Sequence, residues 1–332
     1  MNFQPPSGLQ RIKAIGQTRT LPLMLQEALI ADNDFEPMGV PESDDWLASR
    51  DELGQTFEDF LSSNPNKPDT IRDKIYLQPL DKFPKTGIDM KKQLKEYAED
   101  YFCMKIRVLP TLSINKTSLT IRTNTSTGKP QILTSDILSL LKLHLPADAF
   151  CMLAITMDDL YPDPSWNFAF GQASLRERVG VYSFARYDPA FYGDNRGDDF
   201  EKILLKRSCR VLVHETAHMF GLQHCIYYKC IMNGSNNLRE SDSRPLHLCP
   251  VCLRKLQYSI GFDIVKHYSN LFGFYLNAAF EDEAQWTARR LERIMDTEVL
   301  SQSFHSLLRV KFYPCPTERD LFNRFHQYMQ SF

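Results

Sequence analysis

The chain has 332 residues, 43% of them hydrophobic, and its 41 acidic residues against 39 lysines and arginines leave a net charge of -2. That length and apolar content suffice for one main domain with extensions, and so even a charge balance argues against a general nucleic-acid binder. No stretch approaches the ~20 apolar residues of a membrane span, and the N-terminus MNFQPPSGLQRIK lacks the apolar segment of a signal peptide.

Residues 1–73 read as a partly irregular N-terminal extension, in which Pro5-Pro6, an acidic turn at 42–45 and a polar stretch at 62–69 separate helical segments at 23–31 and 46–61. A first strand is expected at 74–80, then an amphipathic helix at 87–102 with Leu94, Tyr97, Ala98 and Tyr101 on one side. Apolar runs of strand length follow at 106–112, 151–157, 167–173 and 179–185. Between the first two, Ser135 is suited to cap a helix whose Ile137, Leu138, Leu140, Leu141 and Leu145 form one broad apolar face. A long helix is expected over 198–222, with Asp198 and Asp199 at its positive end. Beyond a cysteine-rich loop, 263–279 and 282–295 are again helical, the second with Trp286, Leu291 and Ile294 as core positions. The domain reading is an extension at 1–73, a central unit at 74–258 and a helical region at 259–332 packed on it.

The run HETAHMFGLQHCIYYKCIMNG begins at His214. Residues four apart on a helix lie one turn above each other, so His214 and His218 can present two imidazoles to one metal with Glu215 beside them. Gly221 is placed to end the helix in a left-handed turn, after which His224 can supply a third nitrogen. Three imidazoles leave one tetrahedral position open, the arrangement of a catalytic zinc, which lowers the pKa of its water to roughly 7. Glu215 is then the expected general base, passing the water proton to a leaving amine. Cys225, Cys230, Cys249 and Cys252 read C-x4-C and C-x-x-C and suit a second, closed and structural zinc. The competing reading is two disulfides, which requires an oxidising compartment that nothing in the chain suggests. Of the remaining cysteines, Cys103, Cys151, Cys209 and Cys315 read as buried thiols.

These residues, His214 to His224 followed directly by the cysteine cluster and by Met232, resemble the archaemetzincins, a branch of the metzincin zinc metallopeptidases. The resemblance implies an α/β (α+β) fold: a metzincin-like catalytic domain with a twisted mixed sheet, a long active-site helix, a cleft, and a Met-turn at Met232 that packs beneath the metal. It implies hydrolysis of peptide bonds by Glu-assisted attack of a zinc-bound water, with two zinc ions per chain; short peptides are the expected substrates, and both endopeptidase and aminopeptidase action stay open. Metzincin substrates lie extended along an edge strand, and 167–171 is the candidate edge. Glu177, Asp158 and Asp159 are candidates to hold a substrate ammonium. Some metzincins place a tyrosine two residues after the Met-turn methionine to help hold the oxyanion; here that position is Gly234, so zinc alone or a donor such as Tyr227 or Tyr228 is expected to take the role.

The expected partner is a peptide or protein substrate, with no nucleic acid and no membrane, and a monomer is favoured. The expected location is intracellular, cytoplasmic or nuclear, without secretion. The rival function is a non-catalytic zinc-stabilised interaction module, against which Glu215 counts, since a scaffold has no use for a base beside an open metal position. A zinc-ribbon nucleic-acid binder rests only on Arg254 and Lys255 beside the C-x-x-C, far short of a basic stripe.

Overall fold

The computed structural model describes residues 3–81 and 87–295. The N-terminal segment forms four short helices, α1 (Gly8–Ile15), α2 (Leu23–Ala28), α3 (Trp46–Ser49) and α4 (Phe57–Ser62). Capping boxes at Ser7 and Thr56, each answered by a side chain three residues on, start α1 and α4. The single helical segment expected at 46–61 is thus two, parted by extended chain at Arg50. All four helices bury residues in the main core: α1 and α4 pack on α9 (Pro250–Ile260), and α2 packs on α10 (Ile264–Asn277) and α11 (Glu281–Met295).

Strand β1 (Lys74–Pro79) leads to α5 (Met90–Phe102), capped by Asp89, and then to β2 (Lys105–Val108). The strand expected at 106–112 stops early because Pro110 has no N–H to give a ladder. A small sheet of β3 (Ile121–Thr123), β4 (Pro130–Leu133) and β6 (Asp159–Tyr161) was not anticipated. Helix α6 (Thr134–His144) starts at Thr134, so Ser135 lies inside its first turn and is not the cap, while Ile137, Leu138 and Leu141 are buried as expected.

The main sheet has the order β2-β1-β5-β8-β7, with β5 at Ala149–Thr156, β8 at Val179–Ser183 and β7 at Gly171–Ala173. Its first four strands are parallel and β7 is an antiparallel edge. Strand β5 is buried at every position, as a parallel strand covered on both faces must be. Its alternation serves two cores: Cys151, Leu153 and Ile155 face the main core, while Met152 and Ala154 face a second cluster with Leu138 and Leu141 of α6. On the main-core side lies α7 (Phe200–Met219), backed by α5, on which α10 packs. The short α8 (Leu238–Asp242) separates the two halves of the cysteine cluster. No described helix is long and apolar enough to cross a membrane. The end of the 259–332 region, with Cys315, His305 and His326, lies outside the described residues.

Candidate active site

Helix α7 carries His214, Glu215 and His218 on its last turns. Gly221, at φ +89°, then turns the chain back, and a Cβ there would meet Pro65 Cβ at 3.0 Å. His224 returns opposite the helix, its ring centroid 5.3 Å from that of His214 and 5.1 Å from that of His218. Each ring has its Nδ1 occupied: His214 by Ile231 O at 2.8 Å, His218 by Leu222 O at 2.6 Å and His224 by Glu52 Oε1 at 2.7 Å. Carbonyl and carboxylate oxygens only accept, so each Nδ1 is protonated and each Nε2 carries the lone pair. Donor atoms of the three rings lie within 4.8 Å of one another, with His214 Nε2 and His218 Nε2 3.1 Å apart. Burial, reinforced by the neighbouring imidazoles, holds His214 well below its ordinary pKa and brings His218 to about 3. Neutral rings with convergent lone pairs are what zinc binding requires.

Seven residues beyond His224, the loop returns to brace His214. Ile231 O receives His214, Met232 O receives the N–H of Cys225 at 2.8 Å, and Met232 itself is fully buried in the main core. The Cys225, Cys230, Cys249 and Cys252 sulfurs lie within 4.8 Å of one another, all buried and none in a disulfide. Cys225 Sγ and Cys249 Sγ are 3.5 Å apart, far beyond the ~2.0 Å of a disulfide and close to the ~3.8 Å edge of a tetrahedron with 2.3 Å zinc–sulfur bonds. Backbone N–H groups of Met232 and Cys249 point at Cys230 Sγ, as suits a thiolate. Asn233 ties the loop, donating to the carbonyls of Cys225 and Tyr228 and accepting from Cys230 N.

Glu215 is only 5% exposed, and burial pushes its carboxyl up to about 8 against the opposing charge of Arg244. Edge strand β7 passes directly over it: a Cβ at Gly171 would fall 2.6 Å from Glu215 Oε1. A cleft of about 660 Å³ opens here, lined by β7, the three histidines, Glu215, Trp46, Trp166, Tyr187, Gly234 and Arg244 among others. The edge expected at 167–171 is displaced toward the C-terminus, sharing only Gly171 with β7. Residues 167–170 do line the cleft, but Ala169 N is bonded to Leu160 O of the small sheet, and Phe170 O accepts from Ser183 N at the end of β8, next to the pairing of β7 with that strand.

The model of Peptidase family M54 matches residues 131–258. Archaemetzincin-2 of Rattus norvegicus is 42% identical over 267 residues, which span 72% of this chain and 74% of that protein. The chain belongs to the archaemetzincins. Archaemetzincin-2 of Homo sapiens is 39% identical over 276 residues, 75% of this chain and 77% of that protein. A crystal structure of archaemetzincin from Methanopyrus kandleri, 26% identical, aligns with a TM-score of 0.44 over 59% of this chain and 99% of that one. This archaemetzincin is accordingly a zinc metallopeptidase, and peptides or proteins are its substrates.

What the sequence did not disclose is that this archaemetzincin completes its site with residues from the N-terminal segment. Glu52 accepts from His224 Nδ1 and, at 2.8 Å, from Trp46 Nε1. Burial raises the Glu52 carboxyl, but the His224 contact and the Trp46 bond outweigh it and hold the group below its ordinary value. The Trp46 ring stands edge-on to His224 at 5.0 Å and fills the space beside Gly234, where a Cβ would lie 2.6 Å from three ring atoms. No side chain fits at position 234 while Trp46 is there. Arg50 stacks on Trp166 at 3.9 Å and closes the rim.

Several expected helpers are elsewhere. Tyr227 and Tyr228 do not line the cleft: Tyr227 O and Lys229 N pair with Met38 N and Glu36 O, fastening the N-terminal segment to the cysteine loop, and the Tyr228 ring packs against Phe35. The acidic candidates are paired away from the cleft, Asp159 with Arg186 at 2.8 Å, Asp158 with Lys116 at 2.6 Å and Glu177 with Lys142 at 2.8 Å. His247 stacks on Trp286 with centroids 3.7 Å apart, His267 is buried between Phe262 and Tyr101, and His144 is exposed. Cys151 and Cys209 are buried thiols and Cys103 is half-buried.

Proposed function

We propose that His214, His218 and His224 hold a catalytic zinc, that Cys225, Cys230, Cys249 and Cys252 hold a second, structural one, and that Glu215 is the general base of peptide-bond hydrolysis. The observation that carries this reading is the convergence of three Nε2 lone pairs beside a buried carboxylate, directly under an open sheet edge. Zinc at three imidazoles with one position open supplies Lewis acidity and brings the pKa of water there to about 7. The free edge of β7 binds the substrate main chain as an added strand. That places a peptide carbonyl over Glu215, whose carboxyl a zinc cation beside it would hold in the ionised form; as the carboxylate it takes the water proton and delivers it to the leaving nitrogen.

Both carboxylates lining the cleft have assignments, Glu52 on His224 and Glu215 as base, and the expected ammonium binders are paired elsewhere. Among the described residues nothing acidic in the cleft remains for a substrate N-terminus, so we assign cleavage within short extended peptides. Full-length wild type and Glu215→Gln, each incubated with a diverse peptide pool and analysed by mass spectrometry, test the reading. Products from wild type alone are expected, and identical product patterns from both would sink it. Elemental analysis should give two zinc ions per chain, with one retained when all three histidines are replaced; a single zinc in wild type would break the two-site assignment.

A further inference from the structure

Two arginines line the cleft, and they are held differently. Arg50 is exposed at the rim and stacked on Trp166. Arg244 lies on the floor, just after α8, with its guanidinium folded back on the turn that follows Met232. Its Nη1 donates to Asn233 O, and its Nη2 donates to Ser235 Oγ at 2.8 Å and Ser241 Oγ at 2.9 Å. Asn233 and Ser235 flank Gly234, so the cation is anchored by the two neighbours of the one residue in that turn that has no side chain.

All three acceptors are neutral oxygens. A guanidinium has five N–H donors, and the buried Nε is without a hydrogen-bond partner among the described residues. A half-buried guanidinium on a cleft wall with no carboxylate partner leaves its positive charge free to meet negative charge on a bound molecule. Glu215 and Glu240 are near enough to act on its charge, yet neither forms an ion pair with it. Burial first, and then Arg210, lower Arg244 to about 10, so it remains a cation at neutral pH. It lines the same cleft as His214, His218, His224 and Glu215.

We propose that Arg244 is a catalytic residue that donates to the carbonyl oxygen of the scissile bond as negative charge develops there, a role that Gly234 cannot supply and Tyr227 and Tyr228 are too remote to fill. The proposal rests on the hydrolytic reading above. In the addition step the water oxygen bonds to the carbonyl carbon, Glu215 takes the water proton, and the carbonyl π pair moves onto oxygen, where the Arg244 N–H meets it. On collapse the carbonyl re-forms, the C–N bond breaks, and the nitrogen leaves with the proton from Glu215. A preorganised cation in a closed site suits this task because it need not reorient as the charge appears.

The test uses full-length, zinc-loaded protein. Arg244→Met should lower kcat by ~10²–10³-fold with KM changed less than threefold and with unaltered zinc content, whatever thermal midpoint it loses with the three bonds to the turn; Arg244→Lys should recover part of the loss, and added guanidinium ion at low concentration part of it in the Met variant. A binding arm reads the same role without turnover: calorimetry with a phosphinic peptide, which mimics the tetrahedral oxyanion, and with the matching amide peptide. Arg244→Met should weaken the phosphinate at least thirtyfold and leave the amide unchanged; if that variant does not fold, Arg244→Lys should show the same selective loss, about tenfold. A folded variant with kcat within threefold of wild type, or equal weakening of both ligands, overturns the proposal. An inactive wild type would instead count against the hydrolytic reading, and the phosphinate comparison would still decide the role of Arg244.

Discussion

Glu52 lies 172 residues from His224 in sequence, and removing its carboxylate should loosen the zinc proposed at the three histidines and leave the one proposed at the sulfurs in place. The bond to His224 Nδ1 is 2.7 Å long, and the two side chains are 21% and 23% exposed for His224 and Glu52, so solvent screens the pair only in part. Carboxylates behind a metal-bound histidine fix its tautomer and raise its basicity, and their loss lowers affinity by ~10–100-fold, which is about 1.4–2.7 kcal/mol. Glu52→Ala removes charge and acceptor together and also strands Trp46 Nε1. Glu52→Gln keeps an oxygen able to accept from both donors but removes the charge, and should fall between wild type and Glu52→Ala. The assay is competition with a chromophoric zinc chelator, reading the two metals separately by their release. The reasoning fails if the histidine site of Glu52→Ala holds zinc within twofold of wild type, or if both sites weaken together, which would signify general unfolding.

Gly171→Ala should abolish most turnover while leaving the zinc content intact, because the new Cβ displaces the Glu215 carboxyl from under the edge strand; kinetics and metal analysis on one sample check it. Gly234→Ala should lower stability by about 1–3 kcal/mol in urea unfolding through expulsion of the Trp46 ring. Asp100 is raised from its ordinary 3.8 to about 7 by burial and then by Glu99 and Glu96. Below pH 3.8 both states are protonated; between there and pH 7 the unfolded chain loses the proton and the folded one keeps it, so wild-type stability falls as pH rises. Asp100→Asn should therefore match wild type near pH 4 and exceed it by a margin that opens up to pH 7 and is constant above, as urea midpoints across that range would show.

The two candidate metal clusters were legible because their geometry is local. An i, i+4 pair on a helix, a glycine three residues on and a third histidine after it need no tertiary knowledge, and C-x4-C with C-x-x-C is nearly as self-contained. The elements that rest on long apolar runs, β5 and α7 above all, were legible for the same reason. The small sheet was not, since β3 and β6 have three residues each and β4 begins at a proline. The start of α6 was misread because Thr134, the first helical residue, turns its hydroxyl toward Tyr161 O and Gln172 and leaves the cap without a side-chain bond. Trp46, Glu52 and Arg244 bear no local signal at all. Each is an ordinary residue in a polar stretch until folding brings it against His224 or the Asn233–Ser235 turn.

That tertiary dependence is concentrated on His224, the one histidine of the three not carried by α7. Gly221 aims it, Glu52 holds its ring, and the next residue, Cys225, belongs to the sulfur cluster. The same loop gives Ile231 O to His214 and Met232 O to Cys225 N. Removing zinc from the sulfurs should therefore free the loop that positions two of the three histidines, whereas removing zinc from the histidines leaves the sulfur cluster with its own braces at Asn233 and Cys249. The coupling is predicted to be one-sided. Cys252→Ser, on α9 and remote from the cleft, should lose the structural zinc and lower the affinity of the histidine site by at least tenfold, while the triple histidine variant keeps its remaining zinc at wild-type affinity. Equal independence of the two sites in chelator titrations would mean that α7 and Glu52 suffice to hold the catalytic ligands, and that the cysteine clamp serves the fold alone.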